Sequence, residues 1–276
     1  MLKKLIITLL TLGLALPLAS AGTDQAVHMN KPLTFCGEAV PLKQLDVYRA
    51  VDQHLLLLAE AKSRVWLTLR RASRYQGLME AELRNAGLPA DLIYIPMAIT
   101  GFAPEYNNAG RGPWRFREAE AKDLGLRMDG NIDERLDPVA STQAAARRLK
   151  ELKAAYGHWT TAMAAHLVGD KPLSQTIAEA GGEQDYYKLY LPDGLDNLPS
   201  TVLAGKILFQ DPAAFGYQQS AERAWPRQWS KRVQVPQAST ARALAGQYRQ
   251  DYKTFRDMNP HLLTGIVPAG VTVNIP

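Results

Sequence analysis

Three glutamates near the middle of the chain are the carboxylates best placed for acid–base chemistry. Glu105 lies on a loop rich in Pro, Gly and Asn, and Glu118 and Glu120 follow just after Trp114. A general acid must lie within hydrogen-bond reach of the atom that it protonates, and an apolar pocket that raises its pKa improves it. Because a Gly- and Asn-rich loop is a poor place for such a pocket, the simpler interpretation is that all three are surface carboxylates.

His166 is a fourth candidate, either as a substitute acid or as a metal ligand. A metal site needs several ligands at short spacing, and no second ligand lies at a suitable spacing from His166 in the sequence. We therefore predict a structural histidine, no metal and no cofactor. Cys36 is the single cysteine, which excludes an internal disulfide. A lone cysteine in an oxidising compartment is either inert or pairs with another chain, and the inert alternative is favoured.

The first 21 residues are typical of a secretory signal peptide. Two lysines precede an apolar run over residues 5–18, and residues 19–21 (Ala-Ser-Ala) offer a cleavage site. The run is shorter than the about 20 residues that a membrane-spanning helix needs. We expect a periplasmic protein that begins near Gly22 and has no membrane span after signal cleavage, with an uncleaved anchor as the alternative.

The charge balance argues against nucleic acid as a partner. The chain has 32 basic and 27 acidic residues, and two of the basic residues belong to the signal peptide. The remaining excess is small, and export argues against nucleic acid independently. This small positive excess allows at most a weak attraction to an anionic wall or membrane surface.

The apolar spacing predicts a mainly α-helical domain over residues 42–224, after an irregular arm over residues 22–41. Ser141 or Thr142 is the expected cap of one helix. The predicted helices cover residues 42–75, 77–85, 89–99, 117–124, 141–156, 158–167, 172–181 and 199–209. The first long helix carries arginines that could contact an acidic partner, although a solvated face is the simpler interpretation. These arginines are Arg64, Arg70, Arg71 and Arg74.

The end of the chain has a different pattern. After a linker over residues 225–230, residues 232–235 alternate like a strand. Two short helices over 239–249 and 251–258 and a second alternating run over 271–275 follow. A strand–helix–helix–strand order indicates a separate small βααβ module over residues 231–276.

Two stretches resemble lytic transglycosylases that share a lysozyme-like helical domain, the SLT domain of glycoside hydrolase family 23. Residues 87–96 (GLPADLIYIP) are similar to the helix that leads into the family's active site. Residues 131–142 (NIDERLDPVAST) are similar to its N-x-D-x-R-x-D-x-x-x-S-T segment, and residues 112–114 (GPW) to its G-hydrophobic-W turn. The resemblance covers about residues 65–210 and implies a lysozyme-like fold and a role at peptidoglycan.

The C-terminal module resembles a lysin motif (LysM), a small peptidoglycan-binding βααβ unit. The matching residues are 259–263 (NPHLL), 268–270 (PAG) and 275–276 (IP). Residues 236–238 (PQA) replace the Gly-Asp pair that is typical of the first loop. Glycan binding by the module therefore stays open.

The resemblance also locates the catalytic positions. The family carries a glutamate that protonates the glycosidic oxygen and then acts as base while an anhydro sugar forms, and counting from Pro96 this position falls on Ile99. The serine that follows it falls on Thr100. Since Ile99 has no proton to give, the chain has no catalytic residue at this position, and Glu105 is the fallback candidate.

The family's other chemistry-bearing positions differ as well. Its glutamine after the tryptophan is Arg115 here, and its Ala-Tyr-Asn-Ser-Gly run falls on residues 165–169 (AHLVG). A later tyrosine falls on Asn197. Scaffold residues match while chemistry residues do not, which indicates a pseudo-enzyme. The candidate groove residues are Thr100, Tyr106, Asn107, Asn108, Trp114, Arg115, His166 and Leu167.

Three functions stay open on these grounds. The favoured one is a non-enzymatic envelope protein that binds peptidoglycan glycan strands or stem peptides, or a protein of an envelope complex. Trp114 could stack on a sugar or lie in the core, and Arg115 favours an acidic group such as a stem-peptide carboxylate. The alternatives are an active lytic transglycosylase with a displaced carboxylate, Glu105, and an adaptor that binds protein only.

Overall fold

The structure is a computed structural model that describes residues 29, 31–103, 110–191, 195, 197–218, 224–225, 227 and 229–276. Helices dominate these residues, so the predicted mainly α-helical fold is confirmed. The α-helices of the larger part are α1 (Leu45–Glu60), α2 (Lys62–Asn85), α3 (Tyr94–Ile99), α4 (Glu118–Asp123), α5 (Pro138–Tyr156), α6 (Trp159–Val168), α7 (Asp170–Glu179) and α8 (Asn197–Gln210). Short 3-10 turns lie at Ala90–Ile93, Glu134–Leu136, Tyr186–Lys188 and Pro212–Phe215.

The break in the long N-terminal helix lies at Ala61, and the break predicted near residue 76 is wrong. Ala61 leaves the helical region with a ψ of 57°, whereas α2 continues through Gly77 to Asn85. A glycine inside a helix costs only about 1 kcal/mol. The buried face of α2 continues past it through Met79 and Leu83, so packing compensates for that cost.

Helix α5 begins earlier than predicted, and its cap is Asp137 rather than Ser141 or Thr142. The Asp137 carboxylate accepts hydrogen bonds from the backbone N–H groups of Val139 at 2.8 Å and Ala140 at 3.2 Å. Pro138 occupies the first turn, where a missing N–H costs nothing. The Ser141 and Thr142 hydroxyls instead bond back to carbonyls one turn earlier in the chain.

The segment that we expected to be an irregular arm contains a hairpin. Strand β1 (Thr34–Phe35) pairs with β2 (Glu38–Ala39) in antiparallel register. Cys36 and Gly37 both have positive φ, at 52° and 83°, which is the geometry of a tight two-residue hairpin turn. The buried Lys206 ammonium anchors the hairpin, since it lies 2.6 Å from the Thr34 carbonyl and 2.6 Å from Asp91.

The thiol of Cys36 lies against this buried ion pair. Its backbone N–H donates to Asp91 at 2.7 Å. Burial, and then the charge of Asp91, raise the pKa of the Cys36 thiol far above its usual value. The reactive thiolate is therefore strongly disfavoured, which supports the expectation of an inert cysteine.

The core of the helical part forms where α8 packs against α1 and α3. Helix α3 is buried on nearly all sides, as its continuous apolar run predicts. Gly205 of α8 faces Ala98 of α3 so closely that a Cβ on Gly205 would lie 2.4 Å from the Ala98 Cβ. The absence of a side chain at Gly205 thus sets the spacing between these two helices.

The C-terminal part contains the predicted strand, two helices and final strand, and it has one further short strand on each side of the helix pair. Its elements are β3 (Lys231–Gln234), β4 (Ser239–Thr240), α9 (Ala241–Gln247), α10 (Tyr252–Met258), β5 (Ile266–Val267) and β6 (Thr272–Ile275). Strand β3 pairs antiparallel with β6, and the short β4 pairs with β5. The two helices pack on the sheets around Phe255, which is fully buried.

Backbone hydrogen bonds and one shared core residue connect the C-terminal part to the helical part. Ile132, from the segment before α5, lies fully buried in the apolar cluster of the module. It forms a β-bridge with Leu262, and the Leu263 N–H donates to the Asn131 carbonyl at 2.7 Å. The bounds 42–224 and 231–276 stay a prediction, but the two parts share a core residue.

Two tryptophans of the predicted linker contribute to this attachment. The Trp225 N–H donates to the Ser73 hydroxyl of α2 at 2.9 Å. Trp229 is 4% exposed, and its ring centroid lies 6.0 Å from that of Tyr75. Within the described ranges, no helix is both long enough and apolar enough to cross a bilayer.

Replacing Gly205 with alanine tests the spacing between α3 and α8. We expect a loss of about 1–3 kcal/mol in the free energy of unfolding, because the added methyl group overpacks a tight contact. Urea unfolding measures the loss. Gly77→Ala is the matched control, because a Cβ there meets nothing within 4 Å. It should raise stability by up to about 1 kcal/mol, and a similar shift in both variants would contradict the close contact.

Candidate functional site

Ile99 lies at the C-terminal end of α3 and is buried, with 3% of its surface exposed. The 3-10 turn Ala90–Ile93 leads directly into the N-terminal end of α3, and all residues of the helix except Tyr94 are buried. The Arg64 guanidinium donates to the carbonyls of Ala98 at 2.5 Å and Ile99 at 3.1 Å. Arg64 thus provides hydrogen-bond donors for the last carbonyl groups of α3, while the hydrocarbon side chain of Ile99 packs in the interior.

Thr100 ties the end of α3 to the loop that carries Trp114. Its hydroxyl lies 2.8 Å from the carbonyl of Pro96 and 2.8 Å from that of Pro113. The side chain is buried, so the hydroxyl is used inside the protein. Thr100 therefore has a positioning role in this structure rather than an open surface in a groove.

Trp114 belongs to the core. It is 1% exposed, and its indole N–H donates to the Thr142 hydroxyl of α5 at 2.9 Å. Of the two roles that the sequence left open for Trp114, burial is the one observed. The ring offers no face for a sugar in this conformation.

His166 occupies the middle of the site, on α6, and is 6% exposed. Its ring meets Trp114 and Phe116 edge to face, with ring centroids 6.0 Å and 5.6 Å apart. Neither ring nitrogen has a well-formed hydrogen bond to another described residue, although a polar contact with the Trp114 backbone is present. Leu167, the next residue, is also buried.

The buried imidazole of His166 is held neutral. Burial, and then the positive charge of Arg148, lower its pKa to about 4, although a hydrogen bond with the Trp114 backbone opposes the shift in part. An imidazole with this pKa is neutral near pH 7, so it lacks the imidazolium proton that a general acid donates. The described residues also contain no cluster of three or more His, Cys, Asp or Glu side chains that could hold a metal ion.

Arg115 lies in a strained tight turn next to Trp114. Its φ is 57°, its N–H donates to the Gly112 carbonyl at 3.0 Å, and the side chain is half-buried. Gly112 has a φ of 74°, and a Cβ there would lie 1.8 Å from the Arg135 carbonyl oxygen. Only glycine fits at position 112, and the turn that it permits sets the backbone position of Arg115.

The two glutamates after Trp114 differ in environment. Glu118 is exposed and lies 2.6 Å from Lys122, and this hydrogen bond lowers the pKa of its carboxyl. Glu120 is half-buried and lies 3.6 Å from the Arg148 guanidinium. Burial raises the pKa of Glu120 although Arg148 opposes the shift. Glu120 is thus the more acid-like of the two, but it belongs to an ion-pair cluster around Arg148.

Four of the predicted site residues lie outside the described residues. They are Glu105, Tyr106, Asn107 and Asn108. Asn197, where the resemblance placed a later family tyrosine, is exposed at the start of α8, and its amide oxygen lies 3.1 Å from the His54 ring. The structure therefore brings together Ile99, Thr100, Trp114 and His166 in one buried region.

The acidic motif before α5, which the sequence offered only as a likeness, has a clear structural role. Asp133 accepts hydrogen bonds from Arg135 at 2.7 Å and from Arg111 at 3.3 Å. Asp137, besides capping α5, lies 2.5 Å from Arg232 of the C-terminal part. Sequence reasoning missed Arg232 because nothing local marks a partner 95 residues away.

Residues 81–189 match the sequence model of the Transglycosylase SLT domain. This stretch contains Ile99, Trp114, the 131–142 motif and His166, so the likeness of the helical part to SLT domains is confirmed. The mostly helical architecture is consistent with the lysozyme-like domain that the likeness implies.

Two curated proteins are similar to the chain over a longer stretch. They are the membrane-bound lytic murein transglycosylases D of Escherichia coli strain K12 and of Escherichia coli O6:H1 strain CFT073. Each is 24% identical over 181 residues, which is 63% of this chain and 36% of the relative. The match thus spans about a third of the length of these relatives, and the LysM likeness of the C-terminal module stays a prediction.

The neutral burial of His166 predicts a pH-dependent loss of stability. The unfolded chain takes up a proton at His166 below a pH of about 6.5, while the folded protein resists this until about 4. Stability is therefore lost as pH falls from about 6.5 to 4, by about 2–3 kcal/mol from this group. In His166→Leu, which does not titrate, this part of the loss should be missing.

The measurement is urea unfolding between pH 7.5 and 4.5 in both proteins. Other groups, such as the buried His261 whose pKa burial also lowers, contribute equally to both curves. The difference between the curves therefore isolates His166. Parallel curves would show that the imidazole is not held neutral by the fold.

Proposed function

We propose that this chain is a non-catalytic, periplasmic protein built on a transglycosylase SLT domain, and that it binds peptidoglycan, alone or within an envelope protein complex. The observation that carries this proposal is the buried hydrocarbon side chain of Ile99 at the position where the resemblance places the family's catalytic glutamate. Without a general acid the reaction loses about 10²–10⁴-fold in rate from this term alone.

The surroundings of Ile99 support the proposal. His166, which the sequence offered as a substitute acid, is neutral at pH 7. Thr100 and Trp114 use their polar atoms for internal hydrogen bonds. The region keeps the packing of a scaffold, and neither Thr100 nor His166 is set up to deliver a proton.

The choice of ligand rests on the likeness to SLT domains and on Arg115. The SLT match makes a peptidoglycan-related role the coarse conclusion. Arg115 places a cation where the family carries an amide, and a guanidinium binds carboxylates with two parallel hydrogen bonds. The stem peptides of peptidoglycan carry such carboxylates. The LysM-like module is a second candidate contact for the glycan strands.

Co-sedimentation with purified sacculi tests the binding. The mature protein should pellet with the sacculi, and the turbidity of the suspension should stay constant because the wall is not cleaved. Arg115→Gln should weaken binding about tenfold, as expected for a charge-assisted hydrogen bond of about 1.5 kcal/mol.

Arg84→Gln is the control for this experiment, because it removes an equal charge from an exposed position at the end of α2. It should pellet like the wild type. No sedimentation of the wild type would contradict peptidoglycan binding and leave an adaptor that binds protein only. Equal losses in both variants would indicate attraction by net charge instead of a contact at Arg115.

The alternative function is an active lytic transglycosylase that uses a displaced carboxylate. Glu105, which lies outside the described residues, is its first candidate, and the raised pKa of Glu120 is the described feature that favours it. Any fall in sacculi turbidity would be followed in Glu105→Gln and Glu120→Gln. Loss of the fall in one variant and not in the other would identify the acid.

A further inference from the structure

A pocket lies on the seam between α2 and the C-terminal module. It has a volume of about 410 Å³ and is lined on one side by Arg71, Arg74 and Tyr75 of α2. Trp225 and four residues of the C-terminal part line the other side, namely Arg256, Asp257, Pro260 and Leu262. None of these residues belongs to the groove proposed from the SLT likeness, so this pocket is a separate site.

The lining of the pocket carries more positive than negative charge. Three arginines line it together with a single carboxylate, Asp257. The Asp257 carboxylate is half-exposed and lies 3.7 Å from the Lys253 ammonium. Among the described residues, no carboxylate lies within ion-pair distance of Arg71, Arg74 or Arg256. A bound anion would supply a counter-charge for these arginines.

The hydrogen-bonding groups of the two α2 arginines are also largely unused. The Nε of Arg74 is buried and has no partner within the part of the chain that the structure describes. Arg71 has one long contact, 3.4 Å to the Gly101 carbonyl. Arg256, in contrast, is oriented by the Tyr252 hydroxyl at 2.8 Å and the Leu262 carbonyl at 2.9 Å.

Aromatic rings hold the guanidinium groups in place. The guanidinium carbon of Arg74 lies 5.9 Å from the centroid of the Trp225 ring and 5.9 Å from that of Tyr75. Arg70 contacts the same indole at 6.0 Å, and Ser73 fixes the Trp225 backbone. An arginine beside a ring keeps the N–H groups in its own plane free for a carboxylate.

We propose that this pocket binds an acidic peptide segment through its carboxylates. Guanidinium groups on two different elements suit an extended ligand with more than one carboxylate, and Trp225 and Tyr75 offer an apolar wall for its side-chain carbons. A ligand that contacts both α2 and α10 would also hold the C-terminal module against the helical part. The proposal goes beyond the function proposed above, because it requires neither wall binding nor the loss of catalysis.

Fluorescence anisotropy with a fluorescein-labelled pentaglutamate peptide tests the proposal on the full mature protein. Pentaglutamate should bind saturably, and pentaglutamine should not bind. The double variant Arg71→Gln with Arg74→Gln should bind at least tenfold more weakly, and Trp225→Leu a few-fold more weakly. Arg84→Gln, with an exposed arginine on the same helix, should bind like the wild type.

Three results would overturn the assignment. One is the absence of pentaglutamate binding, and another is an equal loss in Arg84→Gln, which would indicate nonspecific charge attraction. The third is displacement of the peptide by inorganic phosphate at equal charge concentration, which would assign a phosphate site instead.

Hydrogen exchange on the wild-type protein tests the same site if the double variant does not fold. Pentaglutamate should slow amide exchange in residues 68–78 and 252–262. Protection of other segments instead would contradict the proposed site.

Discussion

Two buried carboxylates, Asp133 and Asp137, hold the segment between α4 and α5, and several parts of the structure depend on them. Both side chains are 3% exposed. Asp133 is neutralised by Arg135 and Arg111, and these hydrogen bonds keep the pKa of its carboxyl low although burial opposes this. Asp137 caps α5 and pairs with Arg232. A buried carboxylate without such partners would be costly, so these arginines define how the segment must lie.

The geometry of the candidate site follows from that arrangement. Once α5 begins at Pro138, Thr142 faces Trp114 and accepts its indole N–H. Trp114 in turn packs on His166, and the loop before it is tied to the end of α3 through Thr100. Each of these contacts positions backbone and core. None of them requires a carboxylate at position 99, so an isoleucine there is compatible with this packing.

The same segment joins the two parts of the chain. Ile132 is enclosed by the module's apolar cluster, and the Asp133 N–H donates to the His261 carbonyl at 2.9 Å. His261 lies 4.0 Å from Asp137, but burial lowers the pKa of its imidazole, so Arg232 is the main counter-charge. The module is thus held by a core residue, backbone bonds and an ion pair, and the seam that results creates the arginine-lined pocket.

Sequence reasoning recovered what local patterns encode. Apolar spacing located most helices and the βααβ order, and counting from Pro96 placed Ile99 on the helix that is buried. It failed where contacts between distant residues determine the structure. Packing of Met79 and Leu83 compensates for the helix-weakening effect of Gly77, and the ion-pair partner of Asp137 is Arg232, far along the chain. Trp114 shows how far the sequence could predict the site. A tryptophan can stack on a sugar or pack in a core, and only the structure, with its hydrogen bond to Thr142, shows that it packs in the core.

Mass spectrometry of the soluble products released from purified sacculi tests the central claim most directly. The protein without residues 1–21 is incubated with sacculi, in parallel with an active lytic transglycosylase and with a heat-treated sample of the protein itself. The account predicts no 1,6-anhydro-muropeptides above the heat-treated sample, while the active enzyme releases them. Their release by the wild-type protein would contradict the account, because a chain with Ile99 at this position would then have another acid that performs the reaction.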